Sequence, residues 1–158
     1  MSITYTLFVD LDGVLADFDA GVQAVTGKLP SQLSPRAMWP RLARTPGFYA
    51  ELDWMSDGRE LWERVAPLDP IVLTGLPLGK WAEPQKREWC RRELGPDVEV
   101  ITCMSRNKPK VARERTDATP VLIDDRDRIR VAWVEMGGIF IHHTGASQSI
   151  AELESLGL

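Results

Sequence analysis

Apolar residues gather into five short runs, at residues 5–9, 71–73, 98–101, 121–123 and 139–141. The runs are rich in valine and isoleucine and mostly lack the alternation of a half-exposed strand. They predict strands of a parallel sheet covered on both faces. Between them the pattern changes to a helical period. Residues 84–94 place Trp89, Cys90 and Leu94 on one face and stop at Gly95-Pro96. Residues 126–136 place Ile129, Ala132, Trp133 and Met136 at helical spacing and end at Gly137-Gly138. Residues 107–115 and 147–156 predict two more helices. Strand alternating with helix predicts a three-layer α/β domain.

One interval breaks this rhythm. Roughly sixty residues separate the first two strands, where a crossover needs only about a dozen. Something is inserted there. Its centre holds four prolines between Pro30 and Pro46, and it carries Trp39, Phe48, Tyr49, Trp54 and Trp62. This predicts a small, mainly helical cap at residues 15–69, set on a core made of 1–14 and 70–158.

Composition narrows the classes of function. A chain of 158 residues can bury a core without covalent staples. Its net charge of −4 lacks the dense basic face that a nucleic acid polymer requires. No apolar run approaches the ~18 residues of a membrane span, and the first residues lack the marks of a signal peptide. Two isolated cysteines, Cys90 and Cys103, suggest free thiols in a reducing compartment, so the expected location is the cytoplasm.

The chemistry gathers where strands end. Phe8-Val9-Asp10-Leu11-Asp12-Gly13-Val14 runs an apolar strand into two carboxylates and a glycine. Asp-Gly between apolar residues also fits a hairpin turn. Val121-Leu122-Ile123-Asp124-Asp125 repeats the pattern, and Asp125 is also placed to cap the helix from Arg126. Ligands of open α/β sheets bind outside the carboxyl ends of the strands. Two acidic pairs there would repel one another, and a divalent cation resolves the conflict. All-oxygen ligands suit Mg²⁺. Thr74-Gly75 ends the second strand with a hydroxyl and an accessible N–H, a pair suited to a phosphate oxygen. Lys108 follows the third strand and can set a compact positive charge among carboxylates and phosphate, with Lys110 as a competitor.

Taken in order, DxDG at 10–13, a hydrophobic residue with Thr-Gly at 72–75, Lys108 and the Asp124-Asp125 pair resemble the four signature motifs of the haloacid dehalogenase superfamily of phosphohydrolases. The run from Asp10 to Phe18, Phe48-Tyr49-Ala50-Glu51-Leu52, the Gly-Pro-Asp after Trp89, Arg106-Asn107-Lys108 and Leu122 to Arg126 further resemble the 5′(3′)-deoxyribonucleotidases, the cytosolic type C nucleotidases. Thr74-Gly75 stands where that family has Thr-Ser, the segment from Lys108 to Asp124 is longer, and the cap is short.

The resemblance implies a Rossmann-like core and a Mg²⁺-dependent phosphomonoesterase acting on (deoxy)nucleoside monophosphates. It implies Asp10 as nucleophile and Asp12 as general acid and base. Asp10, the backbone carbonyl of Asp12, Asp124 and Asp125 would hold the metal. Thr74, Gly75 and Lys108 would hold the phosphoryl oxygens, with Arg106 beside them. Phe18 matches the position that stacks on the base, and Trp39, Phe48 and Tyr49 could complete an aromatic slot. The partner is then a small phosphomonoester, with neither a membrane nor a polymer involved, and a homodimer is left open. The alternative enzyme is a phosphatase for another metabolite such as a sugar phosphate. A phospho-accepting receiver also uses acids, a threonine and Lys-Pro, but it needs an acid at the end of the third strand, and none is there.

Overall fold

The computed structural model describes residues 2–158. Five parallel strands form one sheet in the order β3-β2-β1-β4-β5. They are β1 (Tyr5–Val9), β2 (Ile71–Gly75), β3 (Val100–Cys103), β4 (Thr119–Asp124) and β5 (Ile139–His142). Around them run α1 (Phe18–Thr26), α2 (Pro35–Ala43), α3 (Gly58–Val65), α4 (Ala82–Glu93), α5 (Lys108–Arg115), α6 (Arg130–Glu135) and α7 (Ala146–Ser155).

The three layers follow from which side chains each strand sends to each face. Leu7, Val9, Val72, Val121, Ile123 and Ile141 share one core with Leu61 and Val65 of α3, Trp89 and Cys90 of α4, and Leu153 of α7. Phe8, Leu73, Leu122 and Phe140 face the other way, onto Ala112 of α5 and Trp133 of α6. The sheet is therefore a Rossmann-like α/β sandwich. The central strands β1 and β4 pair over their full common length, Val9 against Ile123. Their acidic ends, at Asp10 and Asp124, come out side by side.

Three expectations shift. The third strand lies at Val100–Cys103 rather than 98–101, because Val72 to Gly75 pair with Val100 to Cys103. Gly95, at φ +115°, begins a turn in which the Val98 N–H donates to Gly95 O, and that turn absorbs Val98. The segment from Arg126 opens as a 3₁₀ turn, Asp127–Ile129, and α6 starts only at Arg130. That short helix is anchored by Trp133 alone, whose indole donates to Pro120 O and Ile139 O, so Ala132 is exposed. Asp125 does not cap it. The Asp124 carboxylate instead accepts the Arg126 N–H at 2.9 Å.

The inserted segment holds α1, α2 and α3. Asp17 and Ser34 accept N–H groups at the starts of α1 and α2, and Pro35 takes the first position of α2. The chain's departure and return are tied together at the base of α1. Met55 N–H donates to Leu15 O, Asp17 N–H donates to Asp53 O, and Ala16 bridges Trp54. Beyond that tie, α3 turns back and packs on α7, where the Asp57 carboxylate accepts the Ala146 N–H at 2.7 Å.

Candidate active site

A cavity of about 400 Å³ opens at the carboxyl ends of β1, β2 and β4, beneath α1 and α2. Asp10, Asp12, Gly75, Lys86, Lys108 and Asp124 line its floor. The loop after β1 is wound tightly, with Leu11 O accepting N–H groups from Val14, Leu15 and Ala16. Gly13 sits in it at φ +79°, and a Cβ there would lie 2.2 Å from Asp125 Oδ2. Only glycine therefore allows the β1 loop to pass beside the acids after β4. The Asp-Gly step is a turn over the sheet edge and not a hairpin.

Of the two candidate lysines, the structure selects Lys108. It is buried and donates to Asp10 Oδ1 at 3.0 Å and to Asp124 Oδ2 at 2.9 Å. Lys110 is exposed beside Glu114. Burial would lower the Lys108 ammonium, but the charges of Asp10 and Asp124 outweigh it and hold the group well above its ordinary value. Burial likewise raises Asp10, yet Lys108 and then Lys86 overcome that and leave its carboxyl below the usual range. Asp10 is thus favoured as the charged carboxylate.

Oxygens of Asp10, Asp124 and Asp125 converge to within 4.8 Å of one another. Burial and then the charge of Asp10 push Asp124 up to about 6. Burial and the charges of Asp10 and Asp124 push Asp125 up to about 8. Asp125 Oδ1 is buried with no hydrogen-bond partner. One lysine cannot neutralise three crowded carboxylates, and an all-carboxylate donor set with an orphaned oxygen fits a hard divalent cation. The Asp12 carboxylate stands apart from this trio and faces Lys86 instead.

Lys86 is the residue that sequence reasoning missed. It lies on α4, 1% exposed, in line with Ala82, Trp89 and Cys90 on the buried face. A lysine at that spacing inside an apolar stripe was the available signal. Its ammonium donates to Asp12 Oδ2 at 2.7 Å, to Gly75 O at 2.6 Å and to Thr74 Oγ1 at 3.1 Å. Burial raises Asp12 above the ordinary carboxylate range, although Lys86 opposes it. Thr74 is fully buried just beneath the floor, and a Cβ on Gly75 would strike Ser105 Oγ at 2.1 Å.

The upper wall is aromatic. Phe18, Trp39 and Tyr49 line the cavity. Phe18 stacks on Tyr49 at 6.0 Å and 21°, and Tyr49 stacks on Trp81 at 5.4 Å and 29°. Phe48 does not reach the cavity. It packs edge-on behind Phe18 and Tyr49 and faces a second cleft between α1 and the 45–53 segment. Trp54 lies at the base, against Trp89. Arg106 lines the cavity, and exposed Arg126 and Arg128 join it on the rim.

No protein-family model matches the chain. The chain is similar to a nucleotidase. The human cytosolic type 5′(3′)-deoxyribonucleotidase is 26% identical over 156 aligned residues, spanning 82% of this chain and 75% of the relative. Among the described residues, no helix is long and apolar enough to cross a membrane.

Proposed function

We propose that the protein is a Mg²⁺-dependent phosphomonoesterase of haloacid dehalogenase type that dephosphorylates (deoxy)nucleoside monophosphates through an aspartyl-phosphate. The observation that carries this reading is a single cavity with Asp10 and Lys108 on its floor and Phe18, Trp39 and Tyr49 on its wall. The floor suits a phosphoryl group and the wall suits a flat base. The insertion serves as the cap that brings the wall over the floor.

Asp10, Asp124, Asp125 and the Asp12 backbone carbonyl would hold Mg²⁺, which neutralises phosphoryl charge so that two anions can meet. An Asp10 oxygen forms a bond to phosphorus while the ester P–O bond breaks. The proton on Asp12 passes to the departing oxygen, leaving the free alcohol and an acyl phosphate on Asp10. A water oxygen then attacks the same phosphorus, and Asp12 takes the water's proton. The acyl phosphate bond breaks, and inorganic phosphate departs with Asp10 restored. Lys108 engages two of its three protons with Asp10 and Asp124 and keeps the third for a phosphoryl oxygen.

A panel of phosphomonoesters assayed with Mg²⁺ and with EDTA tests the reading. Nucleoside monophosphates should turn over fastest, and chelation should abolish turnover. Preference for sugar phosphates would keep the chemistry and replace the substrate. Full activity in metal-stripped protein would overturn the site.

A further inference from the structure

We infer that Arg106, Arg126 and Arg128 form a second anion site on the cavity rim, which takes a phosphate carried on the substrate's sugar, as in a nucleoside 3′,5′-bisphosphate. The inference rests on the phosphomonoesterase reading above and goes one step past the monophosphates. A nucleoside monophosphate carries all its charge in the group that the floor receives, and its sugar and base are neutral. Three guanidinium groups also line the cavity. A monophosphate leaves them nothing to bind.

The charges of the floor are matched from within. Lys108 donates to Asp10 and Asp124, and Lys86 donates to Asp12. Among the described residues, these three are the acids that line the cavity, so none is left for the rim. Arg87, Arg91, Arg115 and Arg130 each hold a carboxylate elsewhere on the molecule. The guanidinium groups of Arg106, Arg126 and Arg128 hold none. An acid does sit between two of them, but Asp127 pairs with Arg130, whose guanidinium is also held over the Phe140 ring at 5.2 Å.

The backbone presents these arginines at the strand ends. Arg106 lies in the 3₁₀ turn Ser105–Asn107 after β3, where the Asn107 N–H donates to Met104 O at 2.8 Å. Arg126 and Arg128 belong to the turn after β4, pinned where the Arg126 N–H meets Asp124 Oδ1 at 2.9 Å. Both turns belong to the core, whereas Phe18, Trp39 and Tyr49 come from the insertion. Wall and rim therefore meet over one floor from different parts of the chain. A sugar bears its base and its 3′ substituent on different carbons. With the 5′-phosphate on the floor and the base on the wall, the 3′ position is left for the rim. The planar fork of arginine suits a phosphate there.

The test compares kcat/KM for a nucleoside 5′-monophosphate, its 3′,5′-bisphosphate and its 5′-diphosphate. The diphosphate carries nearly as much charge as the bisphosphate but keeps it in line with the floor. Salt is held at about 0.15 M, where charges beyond ~8 Å are largely screened. The bisphosphate should exceed the other two by about tenfold or more, the gain expected of a charge-assisted contact. Its products should be inorganic phosphate and the nucleoside 3′-monophosphate. Arg126→Gln and Arg128→Gln should each lower the ratio of bisphosphate to monophosphate, and together they should erase most of it. A diphosphate that gains as much as the bisphosphate, or variants that slow all three substrates by one factor, would reduce the arginines to steering and overturn the inference. Hydrolysis of the monophosphate with no preference for the bisphosphate would overturn the inference and leave the phosphomonoesterase reading standing. If none of the three is hydrolysed, that reading fails and the inference fails with it.

Discussion

Each carboxylate of the cavity differs from the others through its neighbours. Asp10 is kept ionised by Lys108 and Lys86, Asp12 is raised by burial, and Asp125 is raised by burial and the charges beside it. In the proposed reaction one residue type would thus supply a nucleophile, an acid and a cation ligand. Asp10→Asn should abolish turnover while thermal unfolding shows a folded protein, since Lys108 keeps Asp124 as its partner. Retention of more than about a hundredth of the rate would place the nucleophile elsewhere. Gly13→Ala is the sharper test of the metal site. The left-handed backbone costs a side chain about 1–2 kcal/mol, and the new methyl group would strike Asp125. Mg²⁺ affinity measured by calorimetry should drop at least about tenfold, equivalent to ~1.4 kcal/mol. Unchanged affinity would remove Asp125 from the ligand set.

At the scale of elements, the strand ends were legible and the surroundings were less so. β1 and β4 announce themselves as apolar runs stopping at acids, and a parallel sheet forces such ends to one edge. β3 was misplaced because it is an edge strand, half-buried throughout, whose Thr102 and Cys103 blur the apolar run. Its edge is covered by α4, where Arg87 donates to Val100 O and Thr102 donates to Glu83. Lys86 escaped because charged residues on a helix are ordinarily solvated, and only tertiary packing makes this one internal. The aromatic wall was legible as composition but not as direction, since nothing local separates Phe48 from Tyr49. Phe18 gives the corresponding test. Phe18→Leu keeps apolar bulk against Trp39, Phe48 and Tyr49 but loses the flat face. Stacking on a base is worth roughly 1–3 kcal/mol, so KM for a nucleoside monophosphate should rise about tenfold or more. Acetyl phosphate, which has no base, should be hydrolysed as before. Equal losses on both would make Phe18 part of the cap's own core.

Over the whole molecule, the acidic cluster links stability to protons and metal. Asp124 at about 6 and Asp125 at about 8 both lie above the ~4 of an unfolded chain. Between those limits the folded state binds more protons than the unfolded state, so stability falls as pH rises through the window. Asp10 is held low and acts only at more acid pH. Metal-free protein should melt at a higher temperature near pH 5 than near pH 8. Mg²⁺ should erase the difference, because the cation replaces the protons. A melting temperature that rises with pH in chelator would contradict the crowding of these acids.

The central position of β1 has a kinetic consequence. Its side-by-side partner β4 lies far along the chain, as the pairing of Tyr5 with Thr119 shows. Closing loops of that length is slow, and the pairing of β1 with β2 closes a shorter loop but leaves the β4 side open. During synthesis, Leu7, Phe8 and Val9 leave the ribosome long before either neighbouring strand exists. An apolar strand with two unpaired edges is then open to chaperones and to other nascent chains. Refolding should show early helix formation and a late phase in which Mg²⁺ binding appears, because Asp10 and Asp124 meet only when the longest loop closes.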